Sequence, residues 1–184
     1  MADPPLGATP KLSTPADYTP IVEQAIGNRA GVFAGTPQGV ILHGSRSGQD
    51  YDTDREYQAT VNYYRQGANG LGWNATIGDD RVCEHLTAAE WGWNARSASR
   101  QYLAVEFAQA TVDRPISDGQ VRAFSWLFRN RFRGEWPSLP QEFPMHSELP
   151  QGVSDGKTDP HVRGGIAGEK LRARIVAEIA RQGG

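Results

Sequence analysis

Apolar and polar residues alternate along this chain in short blocks whose period switches between two and about 3.6, the pattern of strands interleaved with helices. Gly39-Val40-Ile41-Leu42-His43 is a compact apolar run with β-branched residues and predicts a buried strand ending at a histidine. From Asp52 to Gln66, a polar DTD start followed by Tyr57, Val61 and Tyr64 predicts a capped amphipathic helix. Trp73–Ile77 and Arg81–His85 flank Gly78-Asp79-Asp80 and predict a hairpin, because Gly and Asp supply the turn chemistry. Tyr102–Phe107 reads as a further strand. Ser117-Asp118 caps a helix with Val121, Phe124, Phe128 and Phe132 on one face, and a last helix carries Leu171, Ile175, Val176 and Ile179 similarly. A short helix is expected over Asp17–Ile26. The alternation predicts a single α/β domain, a central mixed β-sheet with helices on both faces and chemistry at strand ends and loops.

Composition narrows this picture. The chain has 184 residues, enough for one domain with a core of its own. A net charge of −2, with no long Lys/Arg run, argues against a nucleic-acid partner. No stretch of about 18 apolar residues occurs, so no membrane-inserted helix is expected. Cys83 is the only cysteine, which excludes an intrachain disulfide. Residues 1–20 hold five prolines without the charged start and apolar stretch of a secretory signal. They are read as a flexible proline-rich leader, with residues 21–184 as the catalytic domain. The expectation is synthesis in the cytoplasm without a signal peptide, as a monomer.

Four histidines are available for chemistry: His43, His85, His146 and His161. His43 ends an apolar strand and enters the polar loop Gly44-Ser45-Arg46-Ser47-Gly48. His146 lies in Pro144-Met145-His146-Ser147-Glu148-Leu149-Pro150, upstream of Lys157-Thr158-Asp159-Pro160. In an extended segment, residues two apart share a side, so Lys157 and Asp159 can face one site while Thr158 points away. Pro160 favours extension at the residue before it. Two neutral imidazoles and a carboxylate suit Zn²⁺ and leave a fourth tetrahedral position for water. Alone, His43 reads as a hydrogen-bonded strand-end residue and Glu106 as a carboxylate paired at a strand edge. Cys83 and His85 alternate onto one face and make a conceivable metal pair, although a core role for Cys83 is the simpler reading. His161 is expected to face solvent. Of the five tryptophans, Trp93 is favoured as groove-lining, the others as packing.

VILHGS, YLAVEFA, and MHSELP followed by KTDP resemble the type 2 zinc-dependent N-acetylmuramoyl-L-alanine amidases, a family that includes bacteriophage lysins, bacterial anhydromuropeptide amidases and peptidoglycan-recognition proteins. The resemblance covers roughly residues 38–180. It implies that fold, one Zn²⁺ per chain held by His43, His146 and Asp159, and Glu106 as the residue that orients water and moves its proton. It also implies Lys157 as oxyanion stabiliser and Trp93 in a substrate groove, with peptidoglycan or muropeptide as the partner. Trp73-Asn74 stands where many relatives carry Tyr followed by His or Asn, so both residues count as candidate substrate contacts. Asn94 replaces the histidine of an A-W-H-A-G segment, and the loop between His146 and Asp159 is longer than in compact relatives. The activity implied is hydrolysis of the amide between N-acetylmuramic acid and L-alanine, as in an endolysin acting on the cell wall. A non-catalytic peptidoglycan-recognition module, or a zinc amidase or peptidase acting on another amide, are the alternatives.

Overall fold

The computed structural model describes Tyr18–Gly183. Strands β1 (Ile21–Gln24), β3 (Val40–Gly44), β4 (Ala75–Gly78), β5 (Arg81–Glu84) and β7 (Leu103–Phe107) form one mixed sheet in the order β1-β5-β4-β7-β3. The short β2 (Gly31–Val32) and β6 (Glu90–Trp91) pair separately. Only β4 and β5 are antiparallel within the main sheet, the hairpin that Asp79-Asp80 allows, with Asp80 at φ 52°. The other pairings are parallel.

Helix α1 (Thr53–Arg65) covers one face. Asp52 caps it by accepting from the Arg55 amide at 2.8 Å, and Tyr57, Val61 and Tyr64 turn inward. Tyr64 packs there with Ile41, Ala104 and Trp73. The opposite face buries Val40, Leu42, Leu103 and Val105 beneath α2 (Asp118–Leu127) and α5 (Ile166–Arg181). Ser117 and Gln120 close a capping box at the start of α2, and Ser117 Oγ also donates to Asp79 in the β4–β5 turn. The helix then widens to a π-turn at Phe128–Phe132 before α3 (Arg133–Glu135), which keeps Phe128 and Phe132 in the same core as Phe124.

Two expectations need correction. The chain over Asp17–Ile26 is not helical where described: Ile21–Gln24 is an edge strand parallel to β5, with the Ile21 amide bonded to the Asp80 carbonyl at 2.9 Å and Ala25 to Glu84 at 3.0 Å. The β-branched pair Ile21-Val22 suits that pairing, and ladder bonds available only in the fold outweigh a weak local helical pattern. On α5, Leu171, Ile175 and Ile179 are buried, but Val176 is 43% exposed, because it falls one residue round from the core stripe. Residues 1–17 of the expected leader lie outside the described residues, while Tyr18 donates from its hydroxyl to Asp80 at 3.1 Å.

His85 and Cys83 belong to the frame. His85 Nδ1 lies 2.9 Å from the Ala25 carbonyl, which makes it the protonated nitrogen, and Nε2 accepts from Thr76 Oγ1 at 2.8 Å. Thr76 in turn accepts from the Trp73 indole at 3.0 Å, and the His85 ring stacks on Tyr64 at 3.8 Å. Both ring nitrogens are used within the core, and burial pushes the Cys83 thiol up to about 11. The pair is structural and leaves no donor for a metal.

Burial pushes the His85 pKa down to about 4, from about 6.5 in an unfolded chain. The unfolded state therefore binds the proton first as pH falls, and the stability present above pH ~6.5 is progressively lost toward pH ~4. Between pH 7 and pH 5, metal-free protein is expected to lose about 2 kcal/mol through this residue alone. Urea denaturation at both pH values should show a smaller loss for His85→Gln than for wild type; equal losses would remove His85 as the cause.

Candidate functional site

Three distant segments converge at the carboxyl end of β3. Parallel pairing sets His43 directly beside Glu106 of β7, and Glu106 beside Thr76 of β4, so these side chains issue from the same face. On its other edge, β3 is covered by an extended segment: the Val40 amide donates to Glu142 at 2.9 Å and the Leu42 amide to Pro144 at 2.9 Å, and Met145 bridges to Leu42. Gly39, at φ 154°, permits this approach, since a Cβ there would stand 2.2 Å from the Glu142 carbonyl oxygen. The segment thus delivers His146 next to His43, with ring centroids 4.5 Å apart.

A 3₁₀ turn over His146–Glu148 then holds His146 in place. Glu148 accepts from the Met145 amide at 3.0 Å and from Arg172 of α5 at 2.8 Å, tying the turn to the last helix. Helix α4 (Pro150–Ser154) packs against it so closely that a Cβ on Gly152 would lie 1.8 Å from the His146 carbonyl oxygen. The chain returns through Lys157 and Asp159 into a cis bond to Pro160.

Asp159 closes the set. Its Oδ2 lies 3.3 Å from His43 Nδ1 and 3.2 Å from His146 Nδ1, with the three side chains 5%, 9% and 13% exposed for His43, His146 and Asp159. Donors about 2.0 to 2.1 Å from a tetrahedral zinc stand roughly 3.3 Å from one another. The spacing, the nitrogen and oxygen donors and the burial all fit that ion, and these three residues could hold it. Burial alone would raise the Asp159 pKa, but hydrogen bonds from His146 and His43 outweigh it and hold the carboxylate well below its usual range. Burial pushes the His43 pKa below the ordinary histidine value, which keeps its imidazole neutral, as a metal ligand must be. Among the described residues, His43 Nε2 and Asn94 Oδ1 are both buried without a protein hydrogen-bond partner.

The set opens into a cleft of about 740 Å³ whose walls include His43, Glu106, His146, Lys157 and Asp159, and also Trp93, Trp73 and Asn94. Glu106 is half-buried in the cleft lining. Burial raises its pKa well above the ordinary carboxyl value, the charges of Asp159 and Glu56 add to this, and Lys157 and Arg46 oppose it. A carboxyl whose pKa is raised in a cleft is suited to taking and returning a proton. Trp93 is 41% exposed at the rim, edge-on to Trp91, with the Arg100 guanidinium 5.3 Å from its ring centre.

Other expectations fall differently. Trp73 lines the cleft but is only 4% exposed, and its indole N–H is committed to Thr76. Asn74 does not line the cleft: its amide nitrogen donates to Thr87 and Glu90 carbonyls, each at 2.9 Å, and its oxygen accepts from the Ala104 amide at 3.0 Å. It is a splint between β4, β7 and the β6 region. His161 is 9% exposed, contrary to the solvent-facing expectation, because Ser147 Oγ draws its carbonyl inward at 2.7 Å. Cleft residues beyond those expected include Arg46 and Glu56. Glu56 accepts from the Ser45 and Ser47 hydroxyls, 2.5 Å each, and so shapes the loop after His43. The polar loop was visible in the sequence, but its partners were not.

The fold and the cluster together define an α/β domain with a two-histidine, one-carboxylate centre at the strand ends of a mixed sheet. The chain belongs to the N-acetylmuramoyl-L-alanine amidase family, whose model matches residues 33–162. Among solved structures it is similar to a mutant endolysin from Bacillus subtilis, with TM-score 0.55, 19% identity, and coverage of 84% of this chain and 97% of that one. It is similar to the endolysin of Thermus scotoductus bacteriophage Ph2119 at TM-score 0.57 and 15% identity, covering 84% and 98%. The peptidoglycan-recognition protein SA of Apis mellifera shares the fold at TM-score 0.58 and 12% identity, covering 76% and 89%. No curated protein sequence matches the chain. Among the described residues, no helix is long and apolar enough to cross a membrane.

The tight seat of Gly152 generates a test that needs no metal. Gly152→Ala must displace the His146 backbone, and metal-free protein is expected to lose about 1 to 3 kcal/mol of unfolding stability, as overpacked sites do. Urea denaturation that left the midpoint unmoved would contradict the packing described.

Proposed function

We propose that this protein is a zinc-dependent N-acetylmuramoyl-L-alanine amidase that hydrolyses the amide joining N-acetylmuramic acid to the L-alanine of the stem peptide. The observation that carries the reading is the convergence of His43 Nδ1 and His146 Nδ1 on Asp159 Oδ2, at 3.3 and 3.2 Å, beside Glu106 in an open cleft. Membership of the amidase family supports the bond chosen. The three residues would hold one Zn²⁺ per chain, with Nδ1 of each histidine and Oδ2 of Asp159 as donors. When bound, zinc supplies Lewis acidity toward the scissile carbonyl and lowers the pKa of a water in the site toward ~7.

The chain's own residues do the rest. Glu106 accepts the proton of the attacking water on its carboxylate and returns it to the departing amine, a role that its raised pKa favours. Lys157 presents its ammonium group to the oxygen that gains negative charge as the carbonyl becomes tetrahedral. Trp93, exposed at the rim, offers a flat apolar surface for a sugar ring, and Trp73 walls the inner cleft without offering a polar group. The substrate is peptidoglycan or a soluble muropeptide, reached as an endolysin reaches the wall, by a monomer made in the cytoplasm.

The test is digestion of purified peptidoglycan with zinc content measured in parallel. Wild type should carry one zinc and release stem peptides that begin with L-alanine by mass spectrometry, and chelation should abolish the release. Glu106→Ala is expected to keep its zinc and lose turnover by ~10²- to 10⁴-fold, while Lys157→Ala should lose ~10²- to 10³-fold in kcat with zinc retained. Muropeptide binding at full zinc occupancy without a new free amine would make the protein a recognition module instead, and cleavage by metal-free protein would sink the mechanism.

A further inference from the structure

Asp159 belongs to a loop whose backbone is held at four successive carbonyls. Arg46 Nη2 donates to the Thr158 oxygen at 2.8 Å and to the Pro160 oxygen at 2.7 Å. The Ser147 amide donates to the Asp159 oxygen at 3.2 Å, and Ser147 Oγ to the His161 oxygen at 2.7 Å. Ser147 directly follows His146, and Arg46 lies three residues after His43, so each histidine's own segment grips the loop that carries the carboxylate.

Arg46 is itself anchored. Its backbone amide donates to the Gln109 carbonyl at 2.8 Å, and Nε lies 3.2 Å from Gln109 Oε1. Gln109 is 1% exposed, lies three residues after Glu106, and donates its own amide to the Arg114 carbonyl at 2.7 Å. Gly44 leaves room for this arrangement, since a Cβ there would stand 2.3 Å from Gln109 Oε1. Arg46 also holds φ at 52°, a left-handed conformation that L side chains avoid and that must be maintained by surrounding contacts. A single guanidinium therefore joins the segments of His43, Glu106 and Asp159 at fixed separations.

We propose that Arg46 is a positioning residue for the metal-binding set: by bridging the carbonyls on either side of Asp159, it holds that carboxylate in register with His43 and His146 and so raises zinc affinity. The inference rests on the zinc-site reading above. Its sign is informative, because a cation beside a divalent metal repels it. If charge were all that Arg46 contributed, removing it would tighten zinc binding. If the bridge matters more, removing it must loosen binding, and a lysine that keeps the charge but not the planar fork must fail to substitute.

The experiment measures zinc dissociation constants for the full chain by competition with a chromophoric chelator. Arg46→Ala and Arg46→Lys are both expected to bind zinc ~10- to 100-fold more weakly than wild type, the usual cost of removing a group that orients a metal ligand. Methylguanidinium at millimolar concentration should recover part of the affinity of Arg46→Ala and none of that of Arg46→Lys, whose side chain fills the space. Circular dichroism and urea denaturation check that each variant is folded, and Arg46→Lys carries the test if Arg46→Ala is not. Zinc bound by Arg46→Ala as tightly as by wild type, or affinity fully retained in Arg46→Lys, would overturn the positioning role while leaving the site intact. A wild-type protein that bound no zinc would overturn the site and this inference with it.

Discussion

A carboxylate cannot be taken out of water alone, and Asp159 is the group around which the rest of this protein is arranged. Its Oδ2 is compensated by two imidazole nitrogens that come from segments more than 100 residues apart in the chain, one on the edge strand of the sheet and one on a turn beside it. Neither histidine reaches that oxygen unless β3, the segment at 142–145 and the return loop are in register. The sheet order, the covered edge of β3 and the tether from Glu148 to Arg172 of α5 can each be understood as what this convergence requires.

The mixed sheet supplies the rigidity. Parallel pairing fixes His43 beside Glu106 through the backbone alone, because adjacent strands present paired residues on one face. The opposite face is filled by Phe107, Phe124, Phe128 and their neighbours, so a side-chain shift on the cleft side has no loose core to move into. Loops carry the remaining groups, but these loops are not free. Glu56 ties the loop after His43 to α1, and Ser147 and Arg46 tie the return loop to both histidine segments. Groups intended for chemistry sit on mobile elements in sequence terms and on fixed ones in space.

What could be read from the sequence was what local pattern determines. The strand ending at His43, the helix begun by Asp52, the hairpin around Asp79-Asp80 and the helix capped at Ser117 are each set by residues within a few positions of one another, and each was found where expected. The candidate set His43, Glu106, His146, Lys157 and Asp159 depended on a family resemblance, since no local rule brings residues so far apart into one cleft. Where only tertiary partners decide, local reading went astray. Ile21–Gln24 became a strand because β5 had an open edge, and His161 was drawn inward by a hydroxyl fourteen residues away.

Trp73-Asn74 makes the same point from the opposite direction. Sequence position suggested substrate contacts, yet Asn74 spends all of its amide on the Thr87, Glu90 and Ala104 backbone, and Trp73 donates into a chain that runs through Thr76 and His85 to the Ala25 carbonyl. A polar residue next to an active-site cleft has two possible employers, and hydrogen-bond satisfaction decides between them. Asn74 has no donor left to offer, whereas Asn94 lines the cleft and its oxygen has no protein partner among the described residues. Asn74 therefore serves the frame, while Trp73 and Asn94 both reach the cleft, Trp73 as a wall whose indole N–H is committed to Thr76 and Asn94 as a polar group on the lining.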